Sequence, residues 1–331
     1  RIESCAAVAS SLEATGLLAG KLDKVYDDPH AGQTSWEKAE RSMLCDAVSI
    51  ALRKSGRSED TVDAYLAGDL LNQIITASLS AKQFKIPFLG MYGACSTSML
   101  TLANAAALVD GGYARSALAA TSSHRATSER QFRYPVEYGG QKPLTTQCTI
   151  TGAGAAVVAR GGSGVRITHA TLGCVVDCGM KNPLNMGATM APAAADTILT
   201  HFHDTGRKPE DYDLIVTGDL ASVGFSLVQE LLRKRGWVLG DHFMDCGLMI
   251  YPSTSYGKSP IFAGGSGCGC SAIVTYGHIL PLLQKKQYHR VLVIATGSLL
   301  SPLSFQQGEN IPGVAHAVAF AWQEERDRVN S

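Results

Sequence analysis

No block of lysine and arginine interrupts this sequence, and its charges cancel, 29 basic against 29 acidic among 331 residues. A nucleic-acid partner therefore finds no electrostatic footprint, and no polybasic tail would hold the chain on an anionic membrane. Long apolar runs are missing as well: stretches such as 153–159 and 291–295 are strand-sized and far short of a bilayer span. No Pro/Ser-rich linker divides the chain, which argues against two beads on a string. A disulfide framework is also absent. Nine cysteines, an odd number, are scattered through a large chain, which reads as reduced thiols in a cytosolic compartment. The first residue is Arg1 rather than Met, so the sequence carries no information about a targeting peptide.

What is present points to a large buried core. Apolar residues make up 45% and charged residues 18%, and 34 glycines suit an α/β protein with many tight strand-to-helix turns. The chain also repeats itself. GRSEDTVDAYLAGDL at 56–70 aligns without gaps on GRKPEDYDLIVTGDL at 206–220, with six identities in fifteen. Each copy follows an amphipathic helical stretch, 36–54 in the first and 192–204 in the second. Gly56 and Gly206 sit where a helix C-terminal glycine belongs. Each copy then enters a short strand, 64–67 or 214–217. Further on, Cys95–Ser96, a helix over 96–109 and the strand 116–121 match Cys270–Ser271 and the strand 291–296. The second half carries about 25 more residues between its landmarks, around 237–256, which reads as an elaborated loop. Each half closes with adjacent strands, over 145–160 and 165–172 near the midpoint and over 313–322 at the end. Strands alternating with helices imply parallel sheets covered by helices. The expected division is 1–162 and 163–331, as one interlocked unit.

A duplicated unit with a cysteine at the start of a helix resembles the thiolase and ketoacyl-synthase superfamily, and GACSTS at 93–98 looks like its nucleophile loop. A narrower resemblance rests on KLDKVYDDPHAGQTSWEKAE, IPFLGMYGACSTSM, ATSSHRATSERQFRYPVEYGGQKP, DYDLIVTGDL and FAGGSGCGCSA, blocks that span nearly the whole chain. By these the sequence is similar to the stage V sporulation protein AD family. The resemblance implies a thiolase-like α/β fold of two βαβαβαββ halves in αβαβα layers. It implies binding of dipicolinic acid, pyridine-2,6-dicarboxylate, alone or as its calcium chelate. The expected setting is the cytoplasmic side of the developing spore's inner membrane, with membrane partners from the same operon and a homodimer as the superfamily's usual state.

Catalysis is not expected. A Claisen condensation needs a base and oxyanion donors besides the nucleophile. By the resemblance, the asparagine of the thiolase NEAF motif falls on Gly218, the histidine of GHP within 264–267, and the second cysteine near 295–297. Cys95 is then a vestigial nucleophile, although backbone N–H groups of the following helix would favour its thiolate. The alternative is a Cys95-dependent acyltransferase or condensing enzyme with His316 as base. A third reading is a scaffold whose pocket is vestigial.

A flat dianion calls for cationic or N–H donors at its carboxylates and apolar or aromatic walls for its ring. The segment 124–142 supplies arginines among Phe132, Tyr134 and Tyr138. The expected ligand-binding residues are Cys95, Ser96, Thr97, Ser123, His124, Arg130, Arg133 and His316. No cofactor and no metal are expected: Cys268-x-Cys270 and Cys174-x3-Cys178 do not have the usual zinc spacing. Asp69 and Asp219, related by the repeat, are read as loop-fixing carboxylates.

Overall fold

A computed structural model describes residues 1–133, 142–252 and 261–324. The first half runs β1 (Ile2–Ser10), β2 (Lys24–Tyr26), α1 (Trp36–Ser55), β3 (Ala64–Gly68), α2 (Ile75–Ser80), β4 (Phe88–Gly90), α3 (Thr97–Asp110), β5 (Ser116–Ser123), α4 (Arg125–Phe132), β6 (Cys148–Thr149) and β7 (Gly152–Ala159). The second runs β8 (Gly164–Leu172), α5 (Met186–Thr205), β9 (Leu214–Thr217), α6 (Ala221–Lys234), β10 (Phe243–Asp245), α7 (Cys246–Ile250), β11 (Gly265–Ser266), α8 (Cys268–Val274), α9 (Leu280–Gln284), β12 (Arg290–Ser298), α10 (Pro302–Gln306) and β13 (Gly313–Gln323).

The strands form two main sheets, in the orders β2-β1-β7-β5-β3-β4 and β10-β9-β12-β13-β8. Leaving out β2, the two orders are the same. β7 lies antiparallel to both its neighbours, as β13 does, and the remaining pairs are parallel. Ser123 pairs with Gly152 where Ser298 pairs with Gly313, so the repeat is kept to the residue at this strand end. The duplicated βαβαβαββ plan is therefore present. A short parallel pair, β6 with β11, stitches one half to the other.

Alternation along the strands builds the layers. In β5, Ala117 and Ala119 face a central core that includes Met99 and Leu102 of α3 and Ile273 of α8. Leu118 and Ala120 face an outer core with Met43, Leu44 and Val48 of α1. In β12, Val291, Val293 and Ala295 face the centre, while Leu292 and Ile294 face Met190, Ile198 and Phe202 of α5. The result is αβαβα layering with the two cysteine-bearing helix starts in the middle.

Gly56 (φ 69°) and Gly206 (φ 65°) end α1 and α5 in the left-handed region, as the repeat implies. Three expectations need correction. α5 begins at Met186, not near Pro192, because the Asn185 side chain caps it by accepting from Ala188 N–H at 3.3 Å. The stretch around 237–256 is not simply a loop: its described part holds β10 and α7, and α6 is 14 residues long against six for α2. The strand expected over 145–160 is broken into β6 and β7. There Thr151 N–H leaves the ladder to donate to the buried Glu13 carboxylate at 3.0 Å.

Candidate functional site

The turn that presents Cys95 is built by its own neighbours. Residues Ala94–Ser96 form a 3-10 turn ahead of α3, with Ala94 at φ 49°, a left-handed conformation uncommon for a residue with a side chain. Ser96 donates to Gly93 C=O through both N–H (3.0 Å) and Oγ (2.6 Å). Thr97 Oγ1 donates to Ala94 C=O at 2.7 Å and accepts from Gly93 N–H at 3.0 Å. β12 presses against this turn from the second half: a Cβ on Gly297 would lie 2.3 Å from Gly93 O and 3.3 Å from Cys95 N. Only glycine permits that approach.

Cys95 lies beside a cleft that opens to solvent. Its walls come from both halves, with Tyr92, Ser128, Phe132 and Arg133 on one side and Met186, Ser266, Ser298 and Leu300 on the other. Among the described residues, Arg133 is the one charged side chain in that lining. Its guanidinium pairs with Glu129, whose carboxylate also takes Lys142 at 2.8 Å.

The electrostatics beneath Cys95 reverse one expectation. Burial, reinforced by the Asp219 carboxylate, pushes the thiol well above its ordinary range, so the thiolate is disfavoured. Asp219 is fully enclosed and accepts from Thr296 Oγ1 (2.7 Å), Gly267 N–H (2.8 Å) and Ser266 Oγ (3.1 Å). Ser266 Oγ stands 3.9 Å from Cys95 Sγ. Asp69, its repeat partner, accepts from Leu71 and Ala77 N–H, both at 2.8 Å, and fixes a loop as expected.

Of the eight expected ligand residues, Cys95 and Arg133 line the cleft. Ser96 and Thr97 do not, because their hydroxyls are spent on the turn. Ser123 donates to Ile150 C=O at 2.8 Å and accepts from Gly269 N–H at 3.1 Å, behind the cleft. His124 is the N-cap of α4: Nδ1 accepts from Ala126 N–H (3.1 Å), which leaves Nε2 to donate to Pro29 C=O (2.9 Å). Arg130 is half exposed and paired with Glu37. His316 is buried, with Nδ1 accepting from Gly173 N–H at 3.3 Å. Its Nε2 faces the Gly93 backbone, 3.7 Å from where a Cβ there would be, and burial lowers its pKa to about 4. Tyr134 and Tyr138 lie outside the described residues.

Gly218 packs on the backbone of Ala295 and Thr296. Within 264–267, however, Ser266 does reach the cleft. Cys268 and Cys270 are fully buried while Cys174 and Cys178 are exposed, so the two cysteine pairs do not share an environment. Sequence reasoning passed over Tyr92, Ser128, Ser266 and Ser298 as cleft residues. The repeat held a signal for one of them, since Ser298 is the counterpart of Ser123. Among the described residues, no helix is long and apolar enough to cross a membrane.

Comparison with known proteins fixes the family. Residues 1–321 match stage V sporulation protein AD. The chain belongs to that family. Its similarity to stage V sporulation protein AD of Bacillus subtilis (strain 168) is 53% identity over 319 residues, 96% of this chain and 93% of that protein. Solved condensing enzymes share the family member's fold. OleA of Xanthomonas campestris with cerulenin has a TM-score of 0.62 at 13% identity, covering 97% of this chain and 98% of its own. The 3-oxoacyl-[acyl-carrier-protein] synthase III of Aquifex aeolicus VF5 has 0.59 at 14%, covering 97% and 99%. AbyA1, a tetronic acid condensing enzyme, has 0.59 at 16% with the same coverage. At such identity the likeness is one of fold, and the fold is thiolase-like.

Proposed function

We propose that this protein is a non-catalytic binding protein for dipicolinic acid, free or as its calcium chelate. The observation that carries this reading is the cleft itself: a guanidinium, Arg133, set among Phe132, Tyr92 and Met186 above a thiol that burial keeps protonated. A guanidinium beside aromatic and apolar faces suits a planar aromatic carboxylate, and a protonated thiol without a histidine base in the lining is a poor nucleophile. Family membership supports a role in sporulation. In that setting the protein would work at the inner membrane of the developing spore with membrane partners of the same operon, as a homodimer.

Isothermal titration with pyridine-2,6-dicarboxylate against its 2,4 isomer tests the reading. The 2,6 isomer is expected to bind more tightly, and Arg133→Gln to weaken it by tenfold or more, on the order of 1.5–3 kcal/mol for a charge-assisted contact. Equal affinity for the isomers, or no binding, would overturn it. The fold shared with condensing enzymes favours a second reading, acyl transfer through Cys95. That reading requires a covalent acyl adduct on Cys95 after incubation with acyl-CoA, visible by mass spectrometry.

A further inference from the structure

Ser128 Oγ and Ser298 Oγ are buried, in residues 5% and 6% exposed, line the same cleft as Cys95 and Arg133, and lack a hydrogen-bond partner among the described residues. Buried hydroxyls are ordinarily satisfied, so each orphan needs a physical account.

Local structure does not supply one. A helical serine usually returns its proton to the carbonyl four residues earlier. For Ser128 that carbonyl is His124's, which already accepts from Ser128 N–H (3.1 Å) and Thr127 Oγ1 (2.9 Å). For Ser298 the duplication provides an internal control. Its repeat counterpart, Ser123, sits at the same strand position and is fully engaged, donating to Ile150 C=O and accepting from Gly269 N–H. The same residue type at the same strand position is satisfied where it does not line the cleft and unsatisfied where it does.

We infer that Ser128 and Ser298 form the neutral arm of the ligand site, donating to one carboxylate of a planar diacid while Arg133 takes the other. This deepens the dipicolinate reading and rests on it. Two buried hydroxyl donors meeting one carboxylate, with a guanidinium for its mate, select a dicarboxylate over the monocarboxylate of the same ring.

The test compares pyridine-2,6-dicarboxylate with pyridine-2-carboxylate by titration calorimetry on the wild type and on Ser128→Ala/Ser298→Ala. The wild type should prefer the dicarboxylate. The double variant should lose about tenfold or more in dicarboxylate affinity, while monocarboxylate affinity changes by less than about threefold. Ser128→Ala and Ser298→Ala singly should each show part of the loss, and they read the same quantity if the double variant does not fold. Dicarboxylate binding by the wild type with an unchanged preference in the variants overturns this inference alone, as does equal weakening of both ligands. Absence of wild-type dicarboxylate binding overturns the functional reading and this inference with it.

Discussion

At the scale of single residues, Cys95 is defined by what surrounds it rather than by its place before a helix. Helix N-termini favour a thiolate, yet here burial and the Asp219 carboxylate act the other way and raise the thiol's pKa. Because the thiol is favoured over the thiolate, alkylation of Cys95 should be slow near neutral pH and accelerate only as pH climbs towards its raised value. Timed iodoacetamide labelling read by mass spectrometry should modify the exposed Cys174 and Cys178 well before Cys95. Early labelling of Cys95 would contradict this. Sequence showed that Cys95 begins a helix. It could not show that Asp219, more than a hundred positions away, lies beneath it, because that contact depends on the second half docking on the first. Arg133 was legible as a cation among aromatics. His124 and Arg130, drawn from the same segment, proved to be a helix cap and a partner of Glu37. Both Arg130 and Arg133 pair with a carboxylate, Glu37 and Glu129, and composition does not show that only the second also lines the cleft.

At the scale of elements, the site depends on how closely β12 can approach the Cys95 turn. A methyl group at position 297 would meet backbone, Gly93 O at 2.3 Å, and backbone cannot swing aside as a flexible side chain can. Gly297→Ala should therefore destabilise the protein by about 1–3 kcal/mol and weaken dicarboxylate binding, measurable by chemical denaturation and titration on the same preparation. An unchanged denaturation midpoint would mean that the turn gives way without penalty. The main helices and most strands were readable because hydrophobic period and terminal glycines agree at them. α5 was read too short because Pro192 looks like a boundary and is instead tolerated within the helix. β10, three residues long at a sheet edge, carries too little alternation to stand out from a loop.

At the scale of the whole molecule, the central core belongs to neither half alone. α3 packs there with residues from both sheets, alongside α8. A fragment ending at residue 162 would expose that face of α3 and the inner face of its sheet to water. It is expected to lack a cooperative thermal transition and to bind hydrophobic dyes, whereas a sharp melt of the fragment would show that it folds independently. The duplication itself was legible because turn glycines and strand ends recur in order. The difference between the copies was not, since one copy's serine is engaged by backbone and the other's lines the cleft.

The mixed ancestry of the cleft walls carries a mechanical consequence. Tyr92, Phe132 and Arg133 come from one half and Met186, Ser266 and Ser298 from the other, so a molecule held between them acts as a rivet. It would join the two halves at the mouth as β6 and β11 join them by backbone. A fluctuation that parts the halves would first have to break such a molecule's contacts, so its residence time would gauge how firmly the protein holds together.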